Sequence, residues 1–192
     1  MRDTTATYRD TPLPDERRLV KRAKSGDADA FAILYDAYVD RIYRYIFFRV
    51  SDDVAAEDLT SQVFLKAWES LDRYRVSRSP YLALLYTIAR NLVIDYYRTK
   101  KETVSIDTMV QVRANGPDPD EEVQNRFDVQ AIREALQFLT EEQQQVLSLR
   151  FIAGMSTEDV ARLMNKREGA IRALQMRALQ ALTKYMAEKE SV

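Results

Sequence analysis

The sequence predicts an all-α protein made of two small helical domains joined by a flexible linker. Glycine and proline account for only 4 and 5 of the 192 residues, while the abundant Ala, Leu, Arg, Glu and Gln favour helices over strands and tight turns. Apolar residues make up 46% of the chain, which is enough to bury a core. A breaker sequence, Gly116-Pro117-Asp118-Pro119, separates two stretches of helical periodicity and therefore indicates two domains.

The first domain is expected over residues 13–100, after a polar N-terminus at residues 1–12 that we expect to be disordered. Pro14 suits the first turn of a helix, because its missing N–H group costs nothing there. Residues 51–53 and Ser79 supply side chains that can cap later helices. Apolar residues recur at intervals of three and four, as in amphipathic helices. This pattern predicts four helices, at residues 14–24, 28–50, 54–71 and 80–99.

The second domain is expected over residues 118–188, beyond a linker at residues 101–117 that shows no helical period. Thr140 and Gln143 have the spacing of a capping box, and Ser156 is placed to cap the helix that follows it. We predict helices at residues 118–139, 140–152, 157–164 and 168–184.

Histidine and cysteine are both absent, which removes the commonest general base, the commonest metal ligand and the thiol nucleophile. We therefore expect no enzyme, no catalytic residue, no bound metal and no cofactor. The longest uncharged run, residues 79–89, has 11 residues, about half of the ~20 that a membrane-spanning helix needs. The start of the chain also lacks the apolar core of a secretory signal, so we expect a cytoplasmic protein.

Residues 71–101 form a basic segment, in which seven Arg and Lys residues against two Asp residues leave a net charge of +5. Aromatic rings are interleaved with these charges: Tyr74, Tyr81, Tyr86, Tyr96 and Tyr97. A cationic track with flat rings along it suits unstacked nucleic-acid bases, because cations hold phosphates and rings stack on bases. A solvated amphipathic helix with half-buried tyrosines explains the segment about equally well, and both interpretations stay open on this segment alone.

The last two predicted helices are joined by a short turn in which Asn165 can take a left-handed conformation, so they form a helix-turn-helix. In such a motif the second helix enters the major groove. Its buried stripe is predicted to be Ile171, Leu174, Ala178 and Leu182. The outward side then carries Arg172, Ala173, Met176, Arg177 and Gln180. A helical hairpin with a solvated basic face is the less favoured interpretation.

Several segments carry a family resemblance. In the first domain they are AEDLTSQVFLKAW at 56–68, LDRYR at 71–75 and IARNLVIDYYR at 88–98. In the second they are LTEEQQQVLSLRFIAGMSTEDVARLM at 139–164 and GAIRALQMRAL at 169–179. These segments resemble, in order, the second and fourth conserved regions of bacterial sigma factors of the extracytoplasmic-function (ECF) group, in the sigma-70 family.

The chain departs from that family's pattern at a few positions. Ser61 and Gln62 stand where the family usually has Gln followed by an acid, and Leu84 stands where Trp is usual. Arg167 and Ala170 replace a small capping hydroxyl and Thr at the start of the last helix. These departures leave the helical pattern intact.

The resemblance implies three binding sites. Core polymerase is expected to contact Asp58, Ser61, Gln62 and Lys66. The melted minus-10 element is expected to contact Arg73, Tyr74, Arg75, Arg78, Arg90, Asn91 and Arg98, with the loop 76–79 as a pocket wall. The minus-35 element is expected to contact Lys166, Arg167, Arg172, Ala173, Gln175, Met176 and Arg177, the first two on phosphates.

The implied function is that of an alternative sigma factor, which binds the β′ clamp and β subunits of core RNA polymerase, directs the enzyme to promoter DNA and promotes melting. An anti-sigma factor is a usual but not universal partner. If the linker is flexible, the two domains are arranged by what they bind. The competing interpretation is a conventional helix-turn-helix regulator whose residues 1–100 sense a ligand or dimerise. A third is a helical adaptor that binds only protein.

Overall fold

The computed structural model describes residues 13, 15–50, 52–75, 80–104 and 120–190. These residues form eight α-helices and no strand, which confirms the predicted all-α class. The helices are α1 (Glu16–Lys24), α2 (Ala28–Phe47), α3 (Asp53–Ser70), α4 (Tyr81–Val104), α5 (Asp120–Gln137), α6 (Glu141–Leu147), α7 (Thr157–Met164) and α8 (Glu168–Glu190). Within the described ranges, none of these helices combines the length and the apolar run that a bilayer crossing requires.

Helices α1–α4 form an N-terminal lobe around an apolar core. The core side chains of α2 recur on one helix face, where Leu34, Ile42 and Ile46 are fully buried. Helices α3 and α4 pack against α2 and against each other. They add Val63 and Leu85 to the same core, also with no exposed surface.

Helix α1 ties together two parts of the N-terminal lobe that are distant in sequence. The carboxylate of Glu16 accepts a hydrogen bond from the Tyr81 backbone N–H at 3.0 Å, and so caps the start of α4. The Lys24 ammonium donates to the carbonyl groups of Asp72, at 2.6 Å, and Tyr74, at 3.1 Å. The short helix therefore contacts the residues just after α3 and the first residue of α4, both within the basic segment.

Helices α5–α8 form a C-terminal lobe whose helix starts follow the predicted caps. The capping box is present: Thr140 accepts from the Gln143 N–H, and the Gln143 side chain accepts from the Thr140 N–H. Ser156 accepts from the Asp159 N–H at 3.0 Å at the start of α7. Asn165 ends α7 in the left-handed conformation, with φ 53°, and so sets the turn into α8.

Two helices are longer than the sequence pattern predicted. Helix α4 continues to Val104, past its predicted end near residue 99 and past the predicted linker start at residue 101. Helix α8 continues to Glu190 instead of residue 184, held to α5 by an ion pair of 2.6 Å between Lys189 and Glu134. In α8 the apolar period continues through Tyr185 and Met186, and the Tyr185 ring lies 5.0 Å from that of Phe138, just after α5. The remainder of the predicted linker, 105–117, and the N-terminus, 1–12, lie outside the described residues.

The two lobes contact each other directly, which corrects the expectation that they are arranged only by what they bind. The contact joins α2, α3 and α4 of the N-terminal lobe to α5, α6 and α7 of the C-terminal lobe. Its hydrogen-bonding groups are Arg, Gln, Tyr and Asp side chains together with backbone carbonyls. Apolar periodicity shows which face of a helix is buried but not which lobe that face packs against, so the sequence did not predict this contact.

Candidate polymerase-binding and nucleic-acid-binding surfaces

One face of α3 carries the residues expected to bind core polymerase. All four are exposed on it: Asp58, Ser61, Gln62 and Lys66. The same face carries Leu65, whose side chain is 59% exposed although it is apolar. Sequence reasoning missed Leu65, but its position three and four residues after the two central polar residues was the signal. An exposed leucine among polar groups is suited to burial against a protein partner.

The basic segment presents several of its predicted DNA contacts to solvent. Arg73 and Arg75 are exposed in the turn after α3, and Asn91 is exposed on α4. Arg98 is also exposed and pairs with Asp95 at 3.1 Å, one turn earlier on the same helix. An exposed pair of this kind is weak, so Arg98 can exchange the carboxylate for a phosphate at little cost.

Arg90 is placed differently from the other arginines of the segment. Its side chain is half-buried, and its Nε donates to the Gln145 Oε1 atom of the C-terminal lobe at 3.2 Å. Arg90 is therefore engaged within the protein instead of facing solvent. Arg78 and the predicted pocket wall at 76–79 lie outside the described residues.

The tyrosines of the basic segment favour the second of the two interpretations left open by the sequence, in which the rings are partly or fully buried against the core. Tyr81 and Tyr86 have no exposed surface, because α4 turns them into the core of the N-terminal lobe. Tyr74, Tyr96 and Tyr97 are half-buried, and burial raises the pKa of Tyr74 to about 12. Of the five rings, these three retain a surface on which a base could stack.

The outward face of α8 matches the prediction closely. Ile171, Leu174 and Ala178 are buried as predicted, whereas Leu182, expected in the same stripe, is only half-buried. The five residues expected on the opposite side are all exposed: Arg172, Ala173, Met176, Arg177 and Gln180. Arg172 also forms an ion pair of 2.6 Å with Glu168, one turn before it. This face combines cations, an amide and a flexible apolar side chain, which are groups that can read base edges.

The turn before α8 is positioned by other helices of its lobe. Lys166 pairs with Glu142, at the start of α6, at 2.8 Å, whereas Arg167 is exposed. The Gln175 side chain accepts from the Arg150 Nε at 3.4 Å and is half-buried, so it lies at the edge of the outward face. The helix-turn-helix is therefore braced from behind by α6 and by the segment that follows it.

The C-terminal lobe also exposes an apolar groove between α5 and α8, which the sequence analysis did not identify. Its most exposed apolar side chains are Ile132, at 49%, and Met186, at 43%, and Leu182 lies between them. The sequence alone marks Ile132 as one of the apolar residues, with Leu136 and Leu139, that recur along the helix predicted at 118–139. The structure turns Ile132 outward, while Arg133 and Leu136 are buried. Among the described residues, no group of three or more acidic side chains is placed to hold a metal ion.

These features define the class of the protein. It is a two-lobed helical protein whose N-terminal lobe presents a polar α3 face next to a basic segment, and whose C-terminal lobe presents a helix-turn-helix with a basic outward face.

Comparison with known proteins gives the family. Residues 34–103 match the model of "Sigma-70 region 2" and residues 129–182 match that of "Sigma-70, region 4". The chain is 32% identical over 165 residues to the ECF RNA polymerase sigma factor SigX of Bacillus subtilis, covering 82% of this chain and 84% of SigX. The chain belongs to the ECF RNA polymerase sigma factors of the sigma-70 family.

Other relatives support the same assignment. The chain is 39% identical over 172 residues to the ECF RNA polymerase sigma factor BldN of Streptomyces coelicolor, a match that covers 88% of this chain. It spans 65% of the length of BldN, just under two thirds. With SigW of Bacillus subtilis the identity is 28% over 182 residues, covering 90% of this chain and 97% of SigW.

Two solved structures share the fold. CnrH, in complex with the cytosolic domain of CnrY, superposes with a TM-score of 0.72 at 21% identity, covering 90% of this chain and 97% of that chain. The sigma factor RpoE of Bartonella quintana, in complex with the anti-sigma factor NepR, gives a TM-score of 0.67 at 24% identity, covering 82% and 96%. Both confirm the all-α architecture.

Proposed function

We propose that this chain binds core RNA polymerase as an alternative sigma factor, directs it to specific promoters and promotes their melting. The observation that carries the proposal is the arrangement of two DNA-directed surfaces on one chain. The basic segment of the N-terminal lobe suits separated strands, and the outward face of α8 suits duplex DNA. Transcription initiation requires recognition of duplex DNA and opening of the strands in the same promoter. A protein that binds both duplex and separated strands can support both steps.

The division of labour follows the two lobes. Residues 13–100 would bind core polymerase and the minus-10 element, and residues 118–188 would bind the minus-35 element, with residues 101–117 as the connection. The family matches at 34–103 and 129–182 support this division. A conventional helix-turn-helix regulator is not favoured, because that interpretation needs a sensing or dimerising domain where the chain matches sigma region 2.

The polymerase would bind the α3 face. Asp58, Ser61, Gln62 and Lys66 supply polar contacts, and Leu65 supplies an apolar one at their centre. A patch with an apolar centre and a polar surround is typical of protein interfaces. The β′ clamp is the expected partner of this face, and the β subunit is the expected partner of the C-terminal lobe.

The protein would act by binding alone, with no catalytic residue, and in the cytoplasm, where bacterial polymerase works. An anti-sigma factor is a further proposed partner, since RpoE of Bartonella quintana is bound to one. Such an inhibitor would compete with core polymerase for the α3 face. By binding the free chain, it would draw the chain away from the polymerase-bound state.

Charge reversal at the α3 face tests the polymerase contact. Asp58→Arg should weaken binding to core enzyme by about tenfold or more. The substitution places a positive charge where the partner surface is expected to meet a carboxylate. Asp36→Arg is a matched control, since Asp36 is an exposed acid on α2 of the same lobe. Circular dichroism should show the same helicity for both variants. Equal core affinity of the two variants would remove the assignment of this face.

A further inference from the structure

A fully buried arginine lies at the contact between the two lobes. Arg49 follows α2, and its side chain has no exposed surface. Its Nη1 atom lies 3.4 Å from the Tyr45 hydroxyl and 3.4 Å from the Gln145 Oε1 atom of the C-terminal lobe. Its Nε and Nη2 atoms are buried without an acceptor among the described residues. A guanidinium in this position lacks the anion that buried cations usually have.

Gln145 on α6 is the residue that connects the lobes at this point. Its single Oε1 atom accepts from Arg49 and, at 3.2 Å, from the Nε of Arg90 on α4. One neutral amide oxygen therefore accepts from two cations of the N-terminal lobe, one after the end of α2 and one on α4. Gln145 is itself only 1% exposed, and its Nε2 atom has no acceptor in the described part of the chain.

A second group of contacts lies beside the first, on α5. Arg133 donates from Nη1 to the Asp53 carboxylate at 2.6 Å and from Nη2 to the Val50 carbonyl at 2.7 Å. Gln137 donates to the Arg49 carbonyl at 3.1 Å, and the same carbonyl accepts from the Tyr97 hydroxyl at 2.6 Å. These bonds fix the orientation of α5 relative to the N-terminal lobe.

The contacts between the lobes include groups that favour the closed state and groups that oppose it. Good charge-assisted bonds on α5 hold the lobes together, while the unpaired groups of Arg49 and Gln145 oppose closure, because buried N–H groups without acceptors lose their hydration. Opening would return those groups to water. An interface that combines specific geometry with such an internal cost can switch between two states.

We propose that Arg49, Gln145 and Arg90, supported by Arg133 and Asp53, form a latch that holds the free chain closed and withholds Arg90 from DNA. The latch opens when the chain engages polymerase and promoter. In the closed state the cation of Arg90 is satisfied by Gln145, so the free chain binds nucleic acid more weakly than its charge suggests. The DNA role of Arg90 in this inference rests on the proposed function, whereas the closed state itself rests only on the contacts described above.

Two substitutions at one position move the latch in opposite directions. Gln145→Glu supplies the missing anion between two guanidinium groups, so it should raise the ratio of closed to open chains by roughly tenfold. Gln145→Ala removes the acceptor and should lower that ratio. A purely structural role for Gln145 in the core of its lobe would instead make both variants less stable and less active.

Two further variants provide a matched control and a second way to open the latch. Gln144→Glu makes the same chemical change at the neighbouring buried glutamine, whose side chain donates to Leu139 within its own lobe, so it should not close the latch. Asp53→Asn removes the carboxylate partner of Arg133 from the surface of α3 and should open the latch without disturbing either core. Thermal unfolding should show that all four variants are folded.

Single-molecule energy transfer on the full chain reads the latch directly. The chain has no cysteine, so Ala32→Cys on α2 and Thr183→Cys on α8, both exposed, provide one dye site on each lobe. We expect the Gln145→Glu variant to show a single narrow closed population. Gln145→Ala and Asp53→Asn should add a population with a different transfer efficiency, and Gln144→Glu should match the wild type.

The affinity for a labelled single-stranded DNA of mixed sequence then measures the effect of the latch on nucleic-acid binding. Gln145→Ala should bind it more tightly than the wild type, by up to roughly tenfold if nine tenths of wild-type chains are closed, and Gln145→Glu should bind it more weakly. Shifts of Gln145→Ala and Gln145→Glu in the same direction, or no shift in either assay, would overturn the latch. Failure of the wild type to initiate transcription with core polymerase would instead overturn the proposed function and leave the energy-transfer result standing.

Discussion

The two DNA-directed surfaces differ in how far their sequences determine them. The outward face of α8 lies on one regular helix, so the period of Ile171, Leu174 and Ala178 fixes which residues point away from the core. The basic segment instead crosses a turn, is anchored by α1 and is partly covered by the C-terminal lobe. A local pattern therefore predicts the first surface fully and the second only in part. The periodicity of one segment does not predict the exposure of side chains that distant elements cover.

The largest expected effect tests whether Tyr81 of the basic segment belongs to the core or to the DNA surface. Because its ring is fully buried, Tyr81→Ala should lower the free energy of unfolding by about 3–5 kcal/mol. Tyr81→Phe should leave stability nearly unchanged, since the hydroxyl is buried without a hydrogen-bond partner in the described part of the chain. Urea unfolding measures both. A stable Tyr81→Ala variant that fails only in DNA binding would show that the ring belongs to the DNA surface after all.

The α8 face can be sharpened by separating sequence reading from phosphate contact. A bidentate contact from Arg172 to guanine would discriminate by roughly 1–3 kcal/mol, so Arg172→Ala should relax the preference at one base pair of the minus-35 element. Lys166→Ala should weaken all sequences about equally and reduce the dependence of binding on salt. Selection of DNA sequences by each holoenzyme measures the two profiles. Identical profiles would contradict the assignment of separate roles.

The basic segment can be tested in the same way at its exposed residues. Stacking of one base on an aromatic side chain contributes roughly 1–3 kcal/mol, so Tyr74→Ala should reduce the extent of promoter melting. Asn91→Ala should do the same, because its amide can donate to and accept from an extruded base. Permanganate footprinting of the melted strand reports both. Footprints equal to those of the wild type would show that these residues are misassigned.

The smallest expected effect concerns the ion pair on α8. Glu168→Gln should remove the restraint on Arg172 and cost the helix only about 0.3–0.5 kcal/mol, which is typical of a pair one turn apart. Binding to the minus-35 element should become slightly tighter, since the guanidinium no longer has to leave a carboxylate. Fluorescence anisotropy with the holoenzyme can resolve this change. A loss of affinity would indicate that Glu168 itself contacts the DNA.

Much of the fold could be predicted because the helices carry local signals. The caps at Asp52, Thr140 and Ser156 and the left-handed Asn165 lie within a few residues of the backbone groups that they serve. The contacts of the α8 extension with α5 could not be predicted, since the ion pair of Lys189 joins it to Glu134, 55 residues away in sequence.

The candidate sites divide in the same way. All four polar residues of the α3 face and the outward residues of α8 are exposed as the helical period requires. Arg90 was assigned to the minus-10 element although the C-terminal lobe engages it, and the burial of Tyr86 was left open. Charge and aromatic content do not show which side chains a second lobe or a core will cover. Leu65 was missed because its side chain lies on a face that was classified by its polar members.

Transcription in vitro from a library of genomic fragments tests the central claim most directly. Core polymerase and this chain together should produce start sites that neither produces alone, and those promoters should be melted near the start site. The account would be contradicted if the chain protected promoter DNA as a dimer without core enzyme, or if core enzyme with the chain initiated only where core enzyme alone does.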